Sequence, residues 1–386
     1  MFFPRLPRTF TRKFHKAENK RERTIQGNFL IAVPSGSQIT ENYPKRVSLG
    51  EVLVDAGALR ILAPVNGVAT LTEGGTHFQI KQDGVWKTSS PYQNRSYSFT
   101  EVLEKFVEDA LASLDFPDLS LLKLFSSFSP QDHFKIVISP FTRYNHLSFD
   151  EMIQSEMKEP LDQFLLLLKS TFPNAEILSH IDSGKINYSH PLGIPEFFIH
   201  KITGESIPSV NEGIRNNKIL FLGPETIYHI LRSLYYNEPF TRRHLSVCLV
   251  DKRGRMDTES RQFLLTNGQS LDFIRQNNDK RYKIASFQSM FDSVNALDIN
   301  SLGNFDIYEH YLLLLYERLP VIRNEFACID CNECNTYCPT TANPFALVKK
   351  RWEDFEKQSC IECGICTVYC PSGIDIRSRI LEAKKG

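Results

Sequence analysis

The chain has 386 residues, enough for two or three domains, with 41% hydrophobic and 23% charged residues. Lys+Arg and Asp+Glu are equal at 45 each, which excludes a bulk charge that would attract nucleic acid. No apolar run approaches the roughly 20 residues that cross a bilayer, so we expect no transmembrane segment. The leucine-rich runs Phe164–Leu168 and Leu312–Leu315 are short and predict buried helices.

The N-terminal segment 1–25 is predicted to be a basic arm. Met1–Pro4 is followed by lysines and arginines up to Arg23 with no apolar stretch behind them, so we expect no secretory signal. A solvated tail is the favoured interpretation, and contact with anionic lipid is the alternative.

Residues 26–90 are predicted to form a small β domain. Short apolar runs alternate with glycine and proline, and the segments Val47–Leu53 and Ala63–Gly67 indicate a barrel-sandwich hybrid, the fold type of lipoyl carriers. A carrier presents a modifiable lysine in a Met-Lys or Asp-Lys turn, and this segment has no such turn. We therefore expect a scaffold.

Residues 98–240 alternate helix and strand signals and are predicted to form an α/β domain. Ser98 and Glu101 form a capping-box pair at the start of an amphipathic helix that is predicted to reach Leu114. A later helix is predicted to be broken at Pro160, since proline lacks the backbone N–H that a helix interior needs.

A strand–glycine–helix junction is predicted near the end of this domain. The strand Lys218–Leu222 runs into Gly223, and the following helix carries Ile227 and Leu231 on one face. A helix N-terminus of this kind can bind an anion, but a plain turn and helix cap is the commoner structure. We expect the plain cap.

Residues 243–300 are predicted to form a small α+β unit. Strands at Leu245–Val250 and Phe263–Thr266 are separated by a polar loop, and Asn267-Gly268 forms a turn. The isolated Cys248 lies in the first strand, where we expect a small buried hydrophobe without a redox role.

Eight of the nine cysteines lie between residues 328 and 370, in a predicted C-terminal domain of residues 305–386. Four of them have the spacing C-x2-C-x2-C-x3-C-P, and the same motif recurs 32 positions later. Such clustering in a chain with no predicted secretory signal indicates metal binding rather than a disulfide framework. The doubled motif is the bacterial ferredoxin run, in which the fourth cysteine ligates the other cluster.

The motif therefore predicts two [4Fe-4S] clusters with crossed ligation, since three thiolates on one tight loop leave the fourth iron to a distant ligand. The ligands predicted for the first cluster are Cys328, Cys331, Cys334 and Cys370. The ligands predicted for the second cluster are Cys360, Cys363, Cys366 and Cys338. Asn332 and Gly364 occupy the same repeat position, and both residue types tolerate a left-handed turn there.

Apolar residues between the two motifs recur at helical spacing after Pro344. We expect them to pack near the clusters and limit solvent access. These residues are Phe345, Val348, Trp352 and Phe355. Zinc is the alternative metal, but zinc sites commonly use two C-x2-C pairs and do not call for a third cysteine in each set.

Several short motifs precede the cysteines in a characteristic order. They are Ala63-Pro64-Val65-x-Gly67, His190-Pro191-Leu192-Gly193-Ile194-Pro195, Thr203-Gly204-Glu205-x-x-Pro208, Asn237-Glu238-Pro239 and Asn267-Gly268-Gln269-Ser270-Leu271. With the cysteine motifs, this order resembles the C-type subunit of the Rnf electron-transport complex and, more distantly, the A-type subunit of the sodium-pumping NADH:quinone reductase. The resemblance covers most of the chain. It implies a relative of an NADH/FMN domain at 98–240, a β-grasp-like unit at 243–300, and a cytoplasmic position peripheral to the inner face of the cell membrane.

The chain departs from this family at the phosphate-binding loop. Family members that use NADH and FMN carry a glycine-rich loop early in the middle domain, because glycine lets the backbone approach phosphates closely. Here no glycine occurs from Val85 to Ser183, and the aligned region starts at Asp115. The family's acidic-Cys-acidic element is replaced by the segment Pro140–Tyr144. We therefore expect neither FMN nor NADH, and we expect His190 to fix a turn.

The sequence predicts a multi-domain protein of α/β and β structure. In chain order it has a barrel-sandwich hybrid, a central α/β domain, a β-grasp-like unit and a two-cluster ferredoxin-like helical cassette. The leading hypothesis is an electron-transfer subunit without catalytic residues of its own. Its partners would be other subunits of a membrane redox complex, including a ferredoxin-like or flavin-bearing subunit. The alternatives are an NADH-oxidising flavin and iron–sulfur dehydrogenase subunit, or a zinc-stapled adaptor.

Overall fold

The computed structural model describes residues 27–35, 37, 39, 41–55, 60–83, 90–116, 120–142, 148–181, 191–205, 216, 218–252, 261–287, 296–318 and 325–385. The predicted basic arm lies outside these ranges. Within them the chain is a mixed α/β structure with four sheets, followed by a C-terminal group of short helices.

The N-terminal β unit has two antiparallel sheets around one core. Its strands are β1 (Asn28–Ala32), β2 (Lys45–Val47), β3 (Val52–Asp55), β4 (Arg60–Leu62), β5 (Gly67–Leu71) and β6 (His77–Gln82). The larger sheet has the order β1-β6-β5-β2, and β3 pairs with β4. Phe29 and Ile31 alternate with more exposed residues, as in a strand with one buried face. Gly67 allows close pairing of β5 with β6, because a Cβ there would lie 2.2 Å from the Lys81 carbonyl oxygen.

The central unit is built on a parallel sheet of order β8-β7-β9. Its strands are β7 (Lys135–Ile138), β8 (Glu176–Ser179) and β9 (Ile219–Leu222). The helices are α1 (Phe99–Glu108), α2 (Leu121–Ser126), α3 (Phe149–Glu156), α4 (Lys158–Thr171), α5 (Pro195–Thr203) and α6 (Pro224–Tyr236). Ile136 and Val137 enter separate hydrophobic cores, since successive strand side chains point to opposite faces.

The first helix of this unit begins as predicted and ends earlier than predicted. The capping box of Ser98 and Glu101 is confirmed. The prediction that the helix continues to Leu114 is wrong, because α1 ends before Asp109 and Ala110 adopts a left-handed conformation with φ 53°. The Asp109 carboxylate accepts a hydrogen bond from the buried Ser233 hydroxyl at 2.6 Å, so it ties the end of α1 to α6.

The predicted helix break at Pro160 is also displaced. The chain interrupts its helices at Met157, between α3 and α4. Pro160 lies in the first turn of α4, where a residue without a backbone N–H costs no intrahelical hydrogen bond.

The second α+β unit has a five-stranded mixed sheet of order β11-β10-β14-β12-β13. Its elements are β10 (Arg242–Val250), β11 (Arg261–Thr266), α7 (Asp272–Gln276), β12 (Ile284–Ser286), β13 (Leu297–Asp298), a 3-10 turn (Ile299–Ser301) and β14 (Leu312–Tyr316). The sheet thus extends beyond residue 300, because β14 pairs in parallel with β10. Cys248 is fully buried in β10.

The predicted buried helix at Leu312–Leu315 is a strand instead. All of its residues are buried, because β14 lies between β10 and β12 in the interior of the sheet. A strand covered on both faces has a continuous apolar sequence, which periodicity cannot distinguish from a short buried helix.

A buried ion pair joins the central unit to the second sheet. Arg243 on β10 donates to the Glu225 carboxylate on α6 at 2.8 and 3.1 Å, and both side chains are buried. The same guanidinium donates to the Ile307 carbonyl oxygen at 2.9 Å. The pair therefore fixes α6 against β10 and the segment that leads into β14.

The C-terminal cassette contains α8 (Glu333–Thr336), α9 (Pro344–Val348), a 3-10 turn (Trp352–Asp354), α10 (Ile365–Val368) and α11 (Ile376–Lys385). The predicted helical face after Pro344 is shorter than expected, since α9 ends at Val348 and Trp352 is 45% exposed. Phe345 and Val348 pack against the cassette core, and Phe355 is buried in it. Among the residues described, no helix is long and apolar enough to span a bilayer.

Candidate metal centre

Each motif folds its first three cysteines onto one turn with left-handed residues. Asn332 has φ 57° and Gly364 has φ 77°, as predicted from their shared repeat position. Asp330 and Glu362 also adopt positive φ, at 57° and 56°, which was not predicted from the sequence. Aspartate is enriched in that region, whereas glutamate is not. The third cysteine of each motif then lies on a single helical turn, α8 or α10.

The structure brings the fourth cysteine of each motif to the cavity of the other motif. The first cavity is small and partly open to solvent. Its lining cysteines are Cys328, Cys331, Cys334 and Cys370. The second cavity is similarly small and open. Its lining cysteines are Cys338, Cys360, Cys363 and Cys366. The eight cysteines thus form two groups of four, and each group draws on both halves of the duplication.

The cavity walls are otherwise mostly apolar. Phe345 and Ile376 line the first cavity, and Ile361 and Ile380 line the second. Among the described residues, no three Cys, His, Asp or Glu side chains converge closely enough to share one metal ion. The four thiols of each group instead border a common space.

The thiols lie in environments that oppose their ionisation. Burial raises the pKa of Cys334 to about 11 and that of Cys363 to about 12. Burial raises the pKa of Cys366 well above its usual value as well. The neighbouring thiols Cys370 and Cys338 add to the shifts at Cys334 and Cys366, respectively. A cationic metal centre compensates such charges when thiolates bind it, so this donor set fits an iron–sulfur cluster.

The two cysteine loops differ strongly in exposure. In the first loop Cys331 is exposed, and Phe326 and Ile329 are 69% and 66% exposed. In the second loop Cys360 and Cys363 are 6% and 9% exposed. The duplicated sequence therefore produces one exposed cysteine loop and one buried cysteine loop.

The central unit covers the second loop. Ile194, immediately before α5, belongs to one buried cluster with Ile361, Cys363 and Ile365, and Phe197 on α5 packs against it. Ile194 belongs to a sequence motif that carries the family resemblance, but nothing in the sequence indicated that it contacts a cysteine loop. His190 of the same motif lies outside the described residues.

A stacked pair of tyrosines joins the two halves of the cassette. The rings of Tyr337 and Tyr369 have centroids 4.0 Å apart and an interplanar angle of 21°. Each tyrosine immediately precedes a fourth cysteine, Cys338 or Cys370. The shared repeat position of the two tyrosines was the only sequence signal for this contact. The pair contributes to the alignment of the two crossing segments.

The strand–glycine–helix junction of the central unit is occupied by a side chain of the protein. The Asp115 carboxylate accepts hydrogen bonds from the Gly223 backbone N–H at 2.7 Å and from the Thr226 hydroxyl at 2.8 Å. A Cβ at residue 223 would lie 2.0 Å from the Asp115 Oδ1 atom, so glycine is required for this contact. The N-terminus of α6 thus has an internal anionic partner.

Comparison with known families addresses the cysteine cassette. Residues 320–374 match the family model described as a 4Fe-4S dicluster domain. This match supports the predicted iron–sulfur chemistry and a role in electron transfer. All eight clustered cysteines lie within the matched residues of the dicluster domain.

The chain as a whole has weaker similarities. No curated protein matches it. Among solved structures, it is similar to a chain from the crystal structure of an NAD+-reducing [NiFe]-hydrogenase in the air-oxidized state, with 10% sequence identity and a TM-score of 0.41. The match covers 74% of this chain and 62% of that chain, so this protein spans less than two thirds of the other chain's length.

Proposed function

We propose that the protein transfers electrons through two [4Fe-4S] clusters in its dicluster domain. Cys328, Cys331, Cys334 and Cys370 would bind the first cluster. Cys338, Cys360, Cys363 and Cys366 would bind the second. The observation that carries this proposal is the lining of each cavity by three cysteines of one motif and the fourth cysteine of the other.

The residues around the cysteines have identifiable tasks in this proposal. A bound cluster supplies one-electron oxidation and reduction. The left-handed turns at Asn332 and Gly364 direct three thiols toward each cavity. Phe345 and Ile376 limit water access to the first cavity, and Ile361 does so in the second. Restricting water and fixing hydrogen bonds are means by which a protein sets a cluster potential.

The finer assignment is a peripheral subunit of an Rnf-like membrane redox complex on the cytoplasmic side. It is supported by the motif order that resembles the C-type subunit of the Rnf complex. In this assignment residues 26–90, 98–240 and 243–300 form a scaffold that presents the cassette to partner subunits, one of them ferredoxin-like or flavin-bearing. Asp115 at the N-terminus of α6 supports a central unit that binds no nucleotide phosphate there.

Metal analysis of anaerobically purified protein tests the cofactor. We expect about eight iron atoms per chain, a brown colour and EPR signals after reduction. A colourless protein with two zinc atoms would refute the iron–sulfur proposal and support the adaptor hypothesis. Bound flavin, or bleaching of the clusters by NADH alone, would instead support an NADH-oxidising dehydrogenase subunit.

Crossed ligation requires a separate test in a protein that keeps one cluster. Replacing Cys328, Cys331 and Cys334 together by alanine changes the exposed loop and should leave about four iron atoms. In that background, Cys338→Ala should remove the remaining cluster, whereas Cys370→Ala should not. The reverse outcome would show that each motif uses its own fourth cysteine and would refute the crossing.

A further inference from the structure

The cassette is a sequence duplication whose halves have diverged next to the cysteine loops. The backbone N–H of Phe345 donates to the Asn335 side chain at 3.0 Å. At the positions 32 residues later, the N–H of Arg377 donates to the Thr367 hydroxyl at 2.8 Å. Phe345 and Arg377 are therefore structurally equivalent, at the first turns of α9 and α11. One is apolar and the other is a cation.

Arg377 and Lys384 both contact the second cysteine loop from α11. The Arg377 guanidinium is buried and its Nε donates to the Glu362 carbonyl oxygen at 3.1 Å. The Lys384 ammonium donates to the Cys360 carbonyl oxygen, and to the Glu362 carboxylate at 2.8 Å. The two residues are seven positions apart, so they lie on one face of the helix.

The first loop has no such arrangement among the described residues. The counterpart of Lys384 is Trp352, which is 45% exposed, because α9 ends at Val348 whereas α11 continues to Lys385. The first loop has instead an ion pair between Asp330 and Lys349, whose side chains are 62% and 34% exposed. Water screens a pair of this kind, and its two charges cancel.

We propose that Arg377 and Lys384 are positioning residues that hold the second cysteine loop and raise the reduction potential of its cluster. The inference rests on the proposed function, since it requires a cluster in the second cavity. Adding an electron to a cluster held by four thiolates increases its negative charge. The buried second loop has little water to stabilise that charge, whereas the Arg377 and Lys384 cations lie directly against the loop and attract the added electron.

Reduction of the second cluster would add one electron and would neither form nor break a covalent bond. A one-electron donor gives the electron to the cluster of the second loop, and no proton is transferred to Arg377, Lys384 or Glu362. Their effect is electrostatic, through charges already in place before the electron arrives. The cations of the second loop are shielded from water more than Lys349 and Asp330 of the first loop, so the two sites are expected to respond differently to removal of a cation.

Redox titration followed by EPR tests this inference in the full-length protein with both clusters. Lys384→Met removes the charge and keeps the apolar stem, and Arg377→Gln removes the second charge. Each should reduce the equilibrium constant for reducing one cluster at least tenfold, which is about 59 mV for a one-electron step. The other midpoint should stay unchanged. Lys349→Met is the comparison variant in the first half and should shift the midpoint of the first cluster by much less, because water screens the exposed pair of Lys349 and Asp330.

Lys384→Arg keeps the charge and provides a rescue. It should restore the wild-type midpoint, or restore the second cluster if Lys384→Met fails to hold it. Equal loss of iron in both Lys384 variants would overturn the inference, because charge would not be the deciding property. Unmoved midpoints in iron-replete Lys384→Met and Arg377→Gln would also overturn it. Absence of iron from the wild-type protein would refute the proposed function instead.

Discussion

Asp115 places a carboxyl group in the interior of the central unit, and its replacement by asparagine has a calculable effect on stability. Burial raises the pKa of Asp115 from 3.8 to about 6, although its hydrogen bonds from Gly223 and Thr226 act in the opposite direction. The asparagine side chain has the same shape. Its oxygen can take the place of Asp115 Oδ2, which accepts from both the Gly223 N–H and the Thr226 hydroxyl.

The sign of the effect follows from proton binding. Between pH 4 and 6 the folded protein keeps a proton on Asp115 that the unfolded chain has lost, so the free energy of unfolding falls as the pH rises through this window. A pKa difference of about two units corresponds to about 3 kcal/mol at pH 7. This loss of stability is absent below the pKa that Asp115 has in the unfolded chain. It is fully present above the pKa that Asp115 has in the folded protein.

The Asp115→Asn variant lacks this titration. Its free energy of unfolding relative to wild type should therefore increase by about 2 kcal/mol between pH 4.5 and pH 7.5, because the part of the titration window below pH 4.5 is not sampled. Denaturation followed by circular dichroism across this range measures the difference. Asp272→Asn, at a carboxylate 51% exposed on the surface, is the matched control. Parallel stability profiles for Asp115→Asn and wild type would refute the argument that Asp115 is a buried, raised-pKa carboxyl group.

Three other substitutions test contacts that support the site. Arg243→Met leaves the Glu225 carboxylate buried without its cation and should lower the free energy of unfolding by about 3–5 kcal/mol, as measured by thermal denaturation. Arg46→Met, at a side chain that is 80% exposed, is the control and should change it little. Gly223→Ala should cost about 1–3 kcal/mol, because its Cβ displaces the Asp115 carboxylate, and Gly303→Ala, with open space around its Cβ, is the control. Tyr337→Ala should cost about 0.5–1.5 kcal/mol and accelerate iron loss to a chelator, while Tyr337→Phe keeps the stack. Equal effects in the paired variants would contradict each expectation.

The cysteine cassette was the most predictable part of the chain, because its geometry follows from local spacing. The repeat of the motif indicated which residues should meet, and Asn332 and Gly364 indicated the left-handed turns. Glu362 adopts the same conformation against its own preference. Positions at which tertiary structure overrides local preference are not evident from residue type.

Other features depended on contacts between distant segments. The run Leu312–Leu315 forms a strand because β10 and β12 flank it. Its own residue types do not indicate that these strands are its neighbours. The exposure of one cysteine loop and the burial of the other depend on Ile194, which lies more than a hundred residues before either loop. The position of Asp115 at α6 likewise depends on a contact across the central unit. The periodic pattern of apolar residues in the sequence predicts none of these contacts.

The packing of Ile194 and α5 over the second cysteine loop has a consequence for biogenesis. Cys360 and Cys363 have little exposed surface, whereas Cys331 is exposed. Before the clusters are assembled, iron, sulfide and oxidants therefore reach the first loop more readily than the second.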